Sequence, residues 1–163
     1  MATSNAATTY LEHRILNFIF NNNAQVSSAN FGSGNSNGLG SNIYVGLATA
    51  VSNFNDSTGE SADAGSVSVT EASFGGYARQ NVTAANWTTI GADSTDTQTA
   101  KNTNAIDFPA KTDSGTQTIT HVIITDASSS GNTLFVGALD ASKTLAEGDI
   151  FRINATNLSI ELK

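Results

Sequence analysis

His13 and His121 are the two histidines of the chain, and any acid–base chemistry tuned near neutral pH has to start from one of them. His13 stands between Glu12 and Arg14 in a helical pattern, where an exposed polar position explains it. His121 stands between Thr120 and Val122 in an apolar strand pattern, which suits a hydrogen-bonded wall or interface residue better than a base. Serines and aspartates are plentiful, but there is no Gly-x-Ser-x-Gly elbow to raise one as a nucleophile. The chain has no cysteine, so thiolate chemistry and Cys-ligated zinc are excluded. With no acid, base or nucleophile placed beside another, the chain is read as non-enzymatic.

Three other patterns could bind something. Asp126-Ala127-Ser128-Ser129-Ser130-Gly131-Asn132 begins like a calcium loop, with oxygens at positions one, three and five and glycine at six. Its twelfth position is Gly137, where a bidentate glutamate is needed, so a turn between two strands is expected. Gly32-Ser33-Gly34 and Gly38-Leu39-Gly40 lack the Lys-Ser/Thr and the helix of a phosphate loop, and read as linker. Tyr44, Tyr77 and Trp87 are amphipathic rings that could face a glycan or a protein interface. A core or interface anchor is the plainer role for Trp87. Neither metal nor cofactor is expected.

The elements that must carry these residues fall into two regimes. Thr9 and Glu12 have capping-box spacing, and Leu11, Ile15, Phe18 and Ile19 follow at helical spacing as one apolar stripe, with Leu16 and Phe20 extending it. A helix this short is marginal alone, so the stripe needs a partner, on this chain or on another. Asn21 to Asn42 is rich in Gly, Ser and Asn and reads as a flexible linker. From Ile43 the apolar period becomes two: Ile43, Val45, Leu47; Val67, Val69; Tyr77 to Val82; Ala105 to Phe108; Ile119 to Thr125; Leu134 to Leu139; Asp149 to Asn154; Leu158 to Leu162. About eight short strands with frequent turn signals predict a mainly β chain, an antiparallel sandwich behind one amphipathic helix. Residues 1–42 are expected to form the helical arm and linker, and 43–163 the sandwich.

Charge narrows the partners. Of 163 residues only 13% are charged, about half of the roughly 25% usual for globular proteins. The net charge is -7, and the seven Lys and Arg form no cluster. A phosphate backbone or an anionic membrane surface would find nothing to bind, so neither nucleic acid nor membrane is expected. No apolar run approaches the roughly 20 residues of a spanning helix, and no signal peptide is expected from the first residues.

Several blocks carry a resemblance. They are Ile43-Tyr44-Val45-Gly46-Leu47-Ala48-Thr49, Gly75-Gly76-Tyr77-Ala78-Arg79-Gln80 with Trp87, Ile106-Asp107-Phe108-Pro109-Ala110, Ile119 through Ala127, Gly131 through Leu139, and Lys143 through Ile160. In order and spacing they resemble a family of small tailed-bacteriophage virion proteins, described as tail fibre-like or structural. The resemblance implies a non-catalytic sandwich on the virion, made in the host cytoplasm, assembling as a homo-oligomer and with other virion proteins. The first expectation is a capsid-surface decoration or cement protein packed on the major capsid protein. The alternative is a tail fibre or baseplate component that touches a host-surface glycan. Leu11, Ile15, Phe18 and Ile19 are the expected partner contact of the arm; Tyr44, Tyr77 and Trp87 are the expected glycan or interface aromatics.

Overall fold

In the computed structural model the described residues are Leu16, Phe20, 43–52, 68–88, 99–131 and 133–161. They are mainly β, with antiparallel pairing and a single short 3-10 turn, Ala84–Asn86. Nine strands follow in order: β1 Tyr44–Ser52, β2 Ser68–Glu71, β3 Gln80–Asn81, β4 Thr99–Lys101, β5 Ile106–Asp107, β6 Gln117–Thr125, β7 Thr133–Leu145, β8 Arg152–Ile153 and β9 Ser159–Glu161. The expected arm stripe, Leu11, Ile15, Phe18 and Ile19, lies outside the described residues, as does nearly all of the expected linker. Two compact units are present, one built from 1–43, 82–106 and 153–163, the other from 44–81 and 107–152.

The second unit is a sheet of order β2-β1-β6-β7, with β3 also pairing β1. β6 is the β-branched stretch of the sequence, and that composition suits a strand with neighbours on both sides. Its register against β1 sets Val45 opposite Ile124, Leu47 opposite Val122 and Gly46 opposite Ile123. Alternation therefore sends Val45, Leu47, Val122 and Ile124 to one face and Gly46 and Ile123 to the other. All six are buried, so both faces of the sheet centre are shielded. On the Gly46 face the space is taken: a Cβ there would stand 3.0 Å from both Ile123 Cγ1 and Tyr77 Oη. An aromatic row, Phe74, Tyr77, Phe108 and Phe151, fills the same unit, with Tyr77 and Phe108 stacked at 6.3 Å and Phe108 edge-on to Phe151 at 5.9 Å.

β7 runs further than its apolar pattern. Alternation marks Leu134 to Leu139, yet pairing with β6 continues to Leu145 opposite Gln117. The extension passes through exposed small and polar residues, Asp140 to Thr144, and the ladder resumes at Lys143 and Thr144 opposite Ile119 and Thr118 without a continuous hydrophobic signal.

The first unit packs around Trp87. The ring is 4% exposed, its indole N–H donates to the Val82 carbonyl at 3.2 Å, and Phe20 lies against it at 4.5 Å. Leu16 and Phe20, four apart, are both fully buried here. β4 and β9 pair beside them, with Ala100 opposite Ile160. Trp87→Ala should cost about 3–5 kcal/mol, because the lost transfer energy is compounded by a cavity. Urea denaturation followed by far-UV circular dichroism will read this as a lowered midpoint.

Candidate functional site

Two polar constructions stand out, one in each unit. In the second unit the Gly75-Gly76-Tyr77-Ala78-Arg79 stretch turns sharply so that Tyr77 and Arg79 reach β2. Gly76 has φ +86, and a Cβ there would come 2.9 Å from the Ala110 carbonyl, so the turn requires glycine. The Gly75 amide donates to Asp113 Oδ1 at 2.7 Å, and the Tyr77 amide closes the turn on the Phe74 carbonyl at 2.9 Å. The Tyr77 hydroxyl then donates to Glu71 Oε1 at 2.6 Å and accepts from the Leu47 amide at 2.9 Å. Arg79 meets both Glu71 oxygens at 2.7 Å, in the fork geometry that makes Arg–carboxylate pairs strong. Its remaining Nη1 donates to the carbonyls of Ala127 and Ser130, each at 2.7 Å, and to Thr125 Oγ1 at 3.1 Å.

That guanidinium explains the calcium-like stretch. Residues 126–131 form a chain of bends, with Ser130 at φ 54 and Gly131 at φ 75. Loop oxygens converge on Arg79, an internal cation. Among the described residues no group of three or more His, Cys, Asp or Glu is placed to hold a metal ion. A second buried cation works similarly. Lys111 is 1% exposed; its ammonium donates to Asp113 Oδ1 at 2.9 Å, to the Ser114 carbonyl at 3.2 Å and to the Asp113 carbonyl.

The electrostatics follow from this geometry. Burial alone would raise the Glu71 carboxyl, but the hydrogen bonds from Arg79 and Tyr77 and the Arg79 charge outweigh it and hold it below the usual range. Burial and the Glu71 carboxylate push the Tyr77 hydroxyl well above the ordinary phenol. The Lys111 hydrogen bond holds Asp113 low, and Arg152 does the same for exposed Asp107.

In the first unit the 102–104 and 154–158 loops meet on Asn102, which is fully buried. Its side-chain amide donates to the carbonyls of Asn104 at 2.7 Å and Asn154 at 2.8 Å, and its side-chain carbonyl accepts from the Leu158 amide at 2.9 Å. Its backbone carbonyl accepts from Thr156 at 2.7 Å, with Thr156 in the left-handed region at φ 67. The third loop joins through Asn86: Thr103 donates to its backbone carbonyl at 2.8 Å, and Asn104 Nδ2 to its Oδ1 at 2.7 Å.

The residues singled out from the sequence are distributed between these constructions. Tyr77 is half-buried with its hydroxyl engaged, and Trp87 is buried; each is occupied inside its own unit. Tyr44 is half-buried on β1, opposite Thr125 and Asn81. His121 is half-buried on β6, with Nδ1 2.7 Å from Thr120 Oγ1. His13 lies outside the described residues. Glu71, Lys111 and Asn102 escaped the sequence reading. The Tyr-x-Arg spacing was the one available signal for the first, since residues two apart in extended chain share a side.

A family model, described as Podophage GP4 fiber I protein gp80, matches residues 6–161. The chain belongs to this family. It is therefore a tailed-phage virion structural protein of the fibre-like class, and the family resemblance read from the sequence holds. A fibre family favours the tail-fibre alternative over capsid decoration, the reading placed first from the sequence. No curated protein matches the chain.

Arg79→Ala should destabilise the second unit by about 2–3 kcal/mol, since it strands Glu71 and frees the 126–131 loop from charge-assisted bonds. Chemical denaturation measures this loss. Glu71 has a folded pKa below its unfolded one, so its contribution is complete above the unfolded value and is lost as pH falls through the folded value. Stability measured against pH should therefore fall more steeply on acidification below about pH 4 in the parent than in Glu71→Gln.

Proposed function

We propose that this chain is a non-enzymatic tail-fibre component whose arm holds it to other virion proteins and whose β-rich body reaches the host surface. The observation that carries the reading is the fibre-family match over residues 6–161. Composition supports it: a surface rich in neutral hydroxyls and amides hydrogen-bonds across a crowded seam without the cost of burying unpaired charge. The body is a β-sandwich spanning 43–163, and the arm and linker span 1–42.

The anchoring contact is assigned to the stripe Leu11, Ile15, Phe18 and Ile19. Leu16 and Phe20 are buried in the first unit, with Phe20 on Trp87. On a helix of 3.6 residues per turn the stripe falls on a different side from that pair. The proposal gives the Leu16 and Phe20 side of such a helix to the chain itself and the stripe to a partner. Within the body, Tyr44 is the aromatic candidate with part of its surface exposed and no bond to its hydroxyl among the described side-chain contacts.

Two measurements test this. Cryo-EM of purified particles, with protein band intensity compared to the major capsid protein, should find few copies, all on the tail. Hundreds of copies over the head would instead mean decoration. For the anchor, Ile15→Lys with Ile19→Lys should leave the melting temperature of the purified chain near that of the parent while reducing its incorporation into particles at least tenfold. Full incorporation of that double variant would remove the stripe from the anchoring contact.

A further inference from the structure

The loops that meet on Asn102 end in a surface without charge. Asn104, Asn154, Thr156, Asn157 and Thr103 are exposed, and Asn86 is half-exposed beside them. Two of the loops are fixed from below: Asn102 uses both ends of its amide and its backbone carbonyl to hold 102–104 and 154–158, and the third is tied on through Asn86. The post is buried and fully employed, so the amides and hydroxyls above it are displayed by a rigid base. Asn104 spends its Nδ2 on Asn86 while its Oδ1 accepts no hydrogen bond among the described residues, and the side chains of Asn154, Asn157, Thr103 and Thr156 make none there either. Thr156 holds a left-handed φ of 67 that a β-branched residue adopts at a cost, repaid by the Asn102 bond.

The chemistry displayed is specific in kind. A carboxamide offers two N–H donors and a two-lone-pair carbonyl, and a threonine hydroxyl offers both roles. That set matches adjacent sugar hydroxyls, which are each donor and acceptor. It does not match an anionic polymer, because none of these six side chains is cationic and the chain carries -7. Trp87 is 4% exposed, so its ring is not open to stack on a ligand.

We propose that this Asn/Thr surface of the first unit binds neutral carbohydrate, an uncharged oligosaccharide of the host surface held through its hydroxyls. The inference rests on the host-contacting reading given above and names where, and through what chemistry, contact is made. It shifts the glycan contact away from Tyr77 and Trp87.

The test uses the full chain on an array of neutral and anionic bacterial-surface oligosaccharides, followed by titration calorimetry with the strongest neutral hit. Asn104→Ala with Asn157→Ala should lower affinity for that glycan at least tenfold, with unchanged circular dichroism and melting temperature. Tyr44→Ala should leave affinity within twofold. Equal binding by parent and the double Asn variant overturns the proposal. So does loss on Tyr44→Ala alone, or binding by the parent to anionic glycans alone or to none. Any of those failures leaves the tail position standing, because copy number and location on the particle are measured independently of glycan binding.

Discussion

The second unit depends on one cation. Arg79 ties the end of β2, through Glu71, to the end of β6, through Thr125, and to the two carbonyls of the loop that leads into β7. These partners lie 8 to 51 residues away in sequence. A guanidinium is the side chain suited to the task, with five donors in a rigid plane that cannot be deprotonated in a protein. The side chain is 9% exposed, so its bonds act in a medium of low polarity where they are stronger than in water. The same medium makes each unpaired group expensive, which is why nearly every donor of the fork is engaged.

Scarce charge and buried polar posts are two sides of one economy. In a chain with seven basic residues, Arg79 and Lys111 are both placed inside, each closing a loop through carbonyl oxygens as well as a carboxylate. Asn102 does the equivalent work in the first unit with no charge at all. Loops pinned from within depend little on surface ion pairs, of which Arg152–Asp107 is an exposed example, and much of the outer surface is left to neutral Ser, Thr and Asn. For a virion fibre that surface has a physical advantage: neutral groups meet a partner protein or a sugar at little desolvation cost, and their bonds are not screened by salt.

The free edge of the large sheet is managed as well. β7 pairs with β6 on one side and has no strand on the other among the described residues. Its register shifts twice, once where Leu134 is passed over and again across Leu139 to Ser142, and Asp140 and Lys143 are exposed along the second irregularity. Bulges and edge charges are devices that stop a strand from recruiting another chain. An edge built in this way resists uncontrolled strand addition.

The sequence by itself determined the β class, most strand positions and the turn, described over 126–131. Each is written in local information, as alternation of period two, β-branched runs, and Asp, Ser, Gly and Asn clusters. The order and spacing of several such blocks also carried the family resemblance, which the family match over residues 6–161 bears out. Only the tertiary structure decided what Tyr77 and Trp87 do, that Lys111 is buried, and that Asn102 joins its own loop to the 154–158 loop. The polar tail of β7, Asp140 to Thr144, likewise needed its partner strand to be recognised, since a backbone ladder leaves no hydrophobic mark. The reason is one of range: periodicity is carried by neighbours in sequence, whereas the partners of Arg79 and Asn102 come from segments up to 51 and 56 residues away, brought together by folding.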